Sequence, residues 1–107
     1  MWDMKLALYD NAVAKCPRFD RKGKTMPYTS ANGHMFSLLN KAGELGIRFS
    51  KEDQQKYIEE LSTTAFESYG ATMRGYVLIP EDICSDVDQL VKYLNEGYDY
   101  VMSIDPK

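Results

Sequence analysis

The sequence predicts an α+β protein in which amphipathic helices pack against an antiparallel sheet. Segments with apolar residues at helical spacing are interleaved with segments in which apolar and polar residues alternate, as in half-buried strands. Consecutive strand segments are joined by short connections, which favours antiparallel pairing. The predicted order is helix, three strands, helix, two strands, helix. Helices that each carry one apolar stripe fit best in two layers with the sheet.

The first helix is predicted from one apolar stripe that Pro17 brings to an end. The stripe consists of Trp2, Leu6, Tyr9, Val13 and Cys16. Two strand segments, KTMPYTS and HMFSLLN, then flank the dipeptide Asn32-Gly33. This dipeptide tolerates positive φ and is typical of a tight β-hairpin. Pro27 cannot donate to a sheet ladder, so it places the first strand at an edge or a bulge.

The segment LGIRF predicts a third strand, with Arg48 on the face opposite its apolar residues. Ser50 and Asp53 are spaced like a capping box and mark the start of the second helix. TAFESYG predicts a short fourth strand. The last helix follows Pro80, with Ser85 and Asp88 expected at its cap.

The segment TMRGYVLI predicts the fifth strand and is the source of the candidate site. Strict alternation places Met73, Gly75, Val77 and Ile79 on one face and Thr72, Arg74, Tyr76 and Leu78 on the other. If the third and fifth strands lie in one sheet, Arg48, Arg74 and Tyr76 share the side away from the main core. We therefore expect these three residues to bind a protein partner, since Arg and Tyr are enriched at interface centres. The alternative is that the arginines pair with acids such as Glu44 or Glu67.

The composition predicts one globular domain, residues 1–107, of the kind found in the cytoplasm. The chain has 107 residues, 44% hydrophobic and 27% charged, and a net charge of −3, which gives no bulk attraction to nucleic acid or membranes. Cys16 and Cys84 are too few for a disulfide framework or a zinc site. The N-terminal segment lacks the pattern of a signal peptide, and no apolar run reaches the ~20 residues of a membrane span.

No catalytic motif is present in the sequence, so we expect neither enzymatic activity nor a cofactor or metal. His34 is the one histidine, and nothing near it in sequence forms a nucleophile or metal set with it. Cys16 and Cys84 are interpreted as small core residues. Cys84 is the stronger candidate for a reactive thiol, because it precedes a predicted helix and a helix N-terminus lowers a thiol pKa.

A nucleic-acid or anion-binding module is the alternative function. Residues 15–24 contain five basic residues and one acid. Arg18, Arg21, Lys22 and Lys24 could contact phosphates, with Phe19 as a stacking residue and with help from Arg48 and Arg74. The acidic net charge and the lack of a recognition-helix signature disfavour this alternative, which leaves a protein partner or self-association as the expectation.

Several motifs resemble the N-terminal-domain family of TfoX/Sxy proteins, in its small single-domain form. They are Met26 at the first strand, Gly33 with Met35 and Phe36 at the hairpin entry, Arg48 on a strand, and Met73, Arg74, Tyr76, Val77 and Pro80 before the last helix. The resemblance runs from about Leu6 to Lys107. The chain departs from the family pattern at Met26-Pro27-Tyr28-Thr29 and at Gly75, where many relatives carry an acid.

The resemblance implies a fold similar to that of type III secretion chaperones, with the element order predicted above. It also implies a regulatory domain that mediates protein contacts, as in competence regulation. Members of the family that consist of this domain alone have no settled function. The resemblance therefore bears more strongly on the fold than on any activity.

Overall fold

A computed structural model of the chain describes residues 2–68 and 70–107. Within these residues the helices are α1 (Trp2–Ala14), α2 (Lys51–Glu60), α3 (Glu81–Cys84) and α4 (Val87–Ser103). The strands are β1 (Tyr28–Ala31), β2 (His34–Leu39), β3 (Leu45–Arg48), β4 (Ala65–Ser68) and β5 (Ala71–Leu78). The α+β class and the predicted element order are confirmed, with α3 as an additional short helix. Tyr69, within the predicted fourth-strand segment, lies outside the described residues.

The strands form one antiparallel sheet in the order β1-β2-β3-β5-β4. The predicted hairpin is confirmed, because Asn32 and Gly33 connect β1 to β2 with φ values of 57° and 80°. β1 is an edge strand whose register shifts between Thr29 and Ser30, as expected from the nearby Pro27. β3 is the central strand. It pairs with β2 on one side and with β5 on the other, and α4 packs against it.

The main core lies between the sheet and the helices. α1 and α4 pack against each other, α4 also covers β1, β2 and β3, and α2 packs on β5. Phe49, Tyr57 and Tyr93 meet edge to face and connect the residue after β3 with α2 and α4. Burial of each large apolar side chain contributes about 1.5–3 kcal/mol relative to exposure. The largest fully buried residues are Tyr9, Phe36, Phe49, Phe66, Leu38, Leu39, Leu45, Ile47, Leu90, Leu94, Val77 and Val101.

One helix start agrees with its sequence signature and another differs by one residue. The hydroxyl of Ser50 accepts a hydrogen bond from the Asp53 backbone N–H at 3.1 Å, which confirms the predicted cap of α2. The predicted Ser85 cap of the last helix is wrong, because Asp86 is the N-cap and its carboxylate accepts from the Gln89 backbone N–H. Ser85 instead ends α3, a helix that lies between Pro80 and α4.

A second, smaller apolar cluster covers the other face of the sheet. Leu38, Phe66 and Tyr76 are buried there. Partly buried residues surround them: Met26, Tyr28, Met35, Met73 and Leu78. The Phe66 ring lies directly over Gly46, where an added Cβ would stand 2.3 Å from ring carbons. Gly46 is therefore required by this close contact.

Strict alternation along β5 is wrong at Met73. Val77 and Ile79 belong to the main core, as predicted, but Met73 packs against the Tyr76 cluster on the other face. Between the pairs Ala65↔Val77 and Glu67↔Thr72, β4 advances two residues while β5 advances five. Gly75, with φ of 84°, lies within this irregularity, and a positive φ breaks the alternation of side chains.

We expect Gly46→Ala to destabilise the protein by about 1–3 kcal/mol, because the new methyl group would overlap the Phe66 ring. Urea unfolding followed by circular dichroism measures the change. If the overlap is the cause, the cost of the methyl group falls when Phe66 is replaced by Leu in the same chain. An equal cost in the Phe66→Leu background would show that the ring does not restrict residue 46.

Candidate functional site

A cationic cleft lies where β3 ends, next to the irregular part of β5 and the start of α2. Arg48 and Arg74, which lie far apart in sequence, both line it, and Lys51 adds a third positive charge. The cleft has a volume of about 400 Å³. Its lining residues are Arg48, Phe49, Lys51, Gln54, Arg74, Gly75 and Tyr100. The fold thus brings two of the predicted site residues together.

Arg48 is half-buried and is held by contacts on two sides. Its guanidinium carbon lies 5.5 Å from the centre of the Tyr100 ring, in a cation–π arrangement. A Cβ at Gly75 would stand 3.3 Å from the Arg48 Cγ and 3.5 Å from its Nε. The missing side chain at Gly75 therefore leaves space for the stem of Arg48, and the Tyr100 ring lies beside its charged end.

The cleft walls are tied together by hydrogen bonds between neighbouring elements. The Phe49 backbone N–H donates to the Gly75 carbonyl at 2.9 Å. The Gln54 side-chain amide donates to the Tyr76 carbonyl at 2.9 Å, which fixes the first turns of α2 against β5. These bonds fix the backbone positions from which Arg74 and Lys51 extend.

The cleft carries positive charge without a carboxylate in its lining. Across residues 2–68 and 70–107, no carboxylate lies within 4.0 Å of the Arg48 or Arg74 guanidinium. The alternative, in which these arginines pair with acids such as Glu44 or Glu67, is therefore wrong. Glu44 accepts a hydrogen bond from the Asn40 amide, and both acids line a different cleft together with Met26 and Ser68.

Tyr76 is not part of this surface, which corrects the prediction that it presents its ring beside Arg74. It pairs with Arg48 across β3 and β5, yet it is only 4% exposed. Its hydroxyl donates to the Met35 carbonyl at 2.8 Å, and burial raises the pKa of that hydroxyl. The ring stabilises the second face of the sheet, whereas the irregularity at Gly75 separates Arg74 from it.

The basic connection, residues 15–24, is engaged within the molecule through its two arginines. Arg18 donates to Asp99 at 2.8 Å and lies over the Tyr98 ring. Arg21 donates to both carboxylate oxygens of Asp10, at 2.7 and 3.1 Å, and this interaction raises its pKa. Phe19 is 7% exposed, so it is not available as the stacking residue suggested by the sequence. Lys22 and Lys24 are exposed.

Neither cysteine is placed as a reactive thiol. Both are buried, and burial raises the pKa of each thiol. Cys84 lies at the end of α3 and not at a helix start, so the expected lowering of its pKa is wrong. His34 has its Nε2 atom 2.8 Å from the Asp105 carbonyl, a contact that holds the segment after α4. No group of His, Cys, Asp and Glu side chains within the described residues could hold a metal ion.

Lys51, Gln54 and Tyr100 are cleft residues that the sequence did not identify. Lys51 and Gln54 come soon after Arg48 in the sequence. The helix that Ser50 caps keeps both residues near Arg48, so the predicted cap is a signal for their position. Tyr100 has no such signal, because its place beside Arg48 depends on how α4 crosses the sheet. Gly97 permits that crossing: an added Cβ would lie 3.0 Å from the Arg48 carbonyl.

Neither a protein-family model nor a curated protein sequence matches this chain. Of the helices in residues 2–68 and 70–107, none has the length and apolar character needed to cross a membrane.

We expect the Cys84 thiol to resist alkylation in the folded protein. Burial raises its pKa from 9.0 to about 11, which lowers the thiolate fraction at pH 7.5 by roughly 100-fold. Iodoacetamide labelling followed by mass spectrometry measures this rate. Labelling should become fast in urea, where the burial is lost. Rapid labelling of Cys84 in the folded protein at neutral pH would contradict the buried placement.

Proposed function

We propose that the chain is a non-enzymatic interaction domain that binds an acidic group of a protein partner in the cationic cleft. The observation that carries this proposal is the convergence of Arg48, Arg74 and Lys51 on one cleft without a carboxylate in its lining. Their charges are therefore available to a group from outside the described residues. A single arginine on the surface would not support the same proposal, because isolated exposed charges are common.

The geometry favours binding over a purely structural role for Arg48. Its side chain is held by Tyr100 and fits over Gly75, so little rotamer freedom remains to be lost on binding. Arginine in such a setting is a frequent centre of interface energy. Arg74 is exposed, so it can reach a partner without a rearrangement of the core.

The family resemblance supports the same class of function. A small single-domain protein of the TfoX/Sxy N-terminal type, with a fold like that of type III secretion chaperones, would act in the cytoplasm by contacting another protein. Competence-type or other transcriptional regulation is the process this resemblance suggests. A second copy of the chain is an alternative partner, since exposed acids are present on the same molecule.

A nucleic-acid or anion-binding module is the second candidate. The exposed Lys22 and Lys24 favour it, because they remain available for phosphates. The ion pairs of Arg18 and Arg21 and the net charge of −3 argue against it. We therefore place the partner's acidic group in the cleft and not on the basic connection.

We expect the double variant Arg48→Glu/Arg74→Glu to lose a protein partner that the unaltered chain retains. Tagged protein is recovered from its native cells after nuclease treatment, and the accompanying proteins are identified by mass spectrometry. The matched control is Lys22→Glu/Lys24→Glu, which makes the same change of charge at two exposed positions outside the cleft. Circular dichroism checks that both variants are folded.

The two variants separate the two candidate functions. Loss of the partner from the cleft variant alone supports the proposed function. Identical companions with the cleft variant, the control and the unaltered chain would contradict it. Binding of random DNA at low salt that is lost only in Lys22→Glu/Lys24→Glu would favour the nucleic-acid module instead.

A further inference from the structure

We infer that the cationic cleft binds a phosphate monoester, carried by a phosphorylated side chain of the partner. This inference rests on the proposed function and names the chemistry of the acidic group. It depends on the number of positive charges, on the donor geometry of the arginines and on the size of the cleft. Each of these distinguishes a phosphate from the carboxylate of Asp or Glu.

The charge of the cleft matches a dianion better than a monoanion. Arg48, Lys51 and Arg74 contribute three positive charges, and no lining residue is acidic. A carboxylate brings one negative charge, whereas a phosphorylated side chain brings about −1.5 to −2 at pH 7. The acids in the first turn of α2, Glu52 and Asp53, are not among the lining residues. A phosphate therefore neutralises more of the positive charge of the cleft than a carboxylate does.

The donors also suit a group with three acceptor oxygens. A guanidinium presents several N–H groups in a planar fork that matches phosphate oxygens, and Lys51 adds an ammonium group. The Gln54 amide donates to the Tyr76 carbonyl and so serves to hold the wall. The cleft thus offers donors from two guanidinium groups and one ammonium, more than the two oxygens of a carboxylate can use well.

The volume fits a side chain that carries the phosphate. At about 400 Å³ the cleft lies at the lower end of the range of small-ligand sites, about 300–1,000 Å³. It is larger than a phosphate group alone, so it can also accept the residue that bears the phosphate. The half-buried Tyr100 ring provides apolar surface for the carbon atoms of that residue.

Nuclear magnetic resonance titration of the isotope-labelled protein tests the inference. The observed signals are the Gly75 backbone amide and the arginine Nε–H groups. The probes are a short alanine peptide with one phosphoserine, the same peptide with glutamate at that position, and inorganic phosphate, all at one ionic strength. We expect the phosphoserine peptide to bind at least about tenfold more tightly than the glutamate peptide.

Two variants test which donors are responsible. Arg74→Lys keeps the charge but removes the planar fork, so it should weaken phosphoserine binding several-fold and affect glutamate binding less. Lys22 and Lys24 lie outside the cleft, so Lys22→Glu/Lys24→Glu should leave its affinities for the phosphoserine and glutamate peptides unchanged. The dispersion of the amide spectrum shows whether each variant is folded.

The results assign the source of the phosphate and separate this inference from the proposed function. Tighter binding of the phosphoserine peptide than of inorganic phosphate assigns the ligand to a modified protein and supports the inference. The reverse order assigns the ligand to the free anion and overturns the phosphorylated partner. Equal affinity for the phosphoserine and glutamate peptides overturns the inference but leaves the acidic-partner function standing. An oligonucleotide with internal phosphodiesters is titrated in the same way, and tighter binding of it than of the phosphoserine peptide also overturns the inference. Unmoved cleft signals, together with unchanged partner recovery from Arg48→Glu/Arg74→Glu, overturn both.

Discussion

The close approach of three neighbouring elements to the central strand β3 determines the rest of the structure. α4 reaches the Arg48 carbonyl at Gly97, β5 lies beside the Arg48 stem at Gly75, and Phe66 covers Gly46. In each case a Cβ would collide with or crowd its neighbour. Close packing of this kind fixes the distance between the sheet and α4, and with it the position of Tyr100 relative to Arg48.

The distribution of ion pairs explains why the cleft differs from the rest of the surface. Lys5 and Arg18 form ion pairs with acids from distant parts of the chain, and Arg21 pairs with Asp10 of α1. These contacts hold α1 and the connection after it. Arg48 and Arg74 have no such partner within the described residues, although the chain is acidic overall. Charged side chains without an ion-pair partner in the molecule are available to bind a partner, so they support a functional proposal. The fold alone does not support one, because the same fold serves many functions.

Much of the fold and part of the site could be predicted from local patterns. The Asn32-Gly33 turn, the Ser50 cap and the apolar stripes depend on neighbours within a few residues, so the sequence contains their signals. α3 was missed because a helix of one turn has too few residues to show periodicity. The sequence places the cap of α4 one residue early, at Ser85, because Ser85 and Asp86 are both favoured N-cap residues. Strict alternation assigns Met73 to the wrong face because a positive φ at Gly75 interrupts it. Tyr76 lies on the predicted face, but Leu38 and Phe66 bury it there, and these contacts come from other strands.

The sequence by itself determined the α+β class, the order of the elements, the hairpin and the two arginines as residues of interest. Only the tertiary structure decided that Arg48 and Arg74 line the same cleft, that Lys51 and Tyr100 line it too, and that Tyr76 is buried on the second face. The physical reason is that the features determined by the sequence depend on local backbone preferences and periodicity. The features decided by the tertiary structure depend on strand pairing and on the close packing of α4, which bring together residues that are distant in sequence.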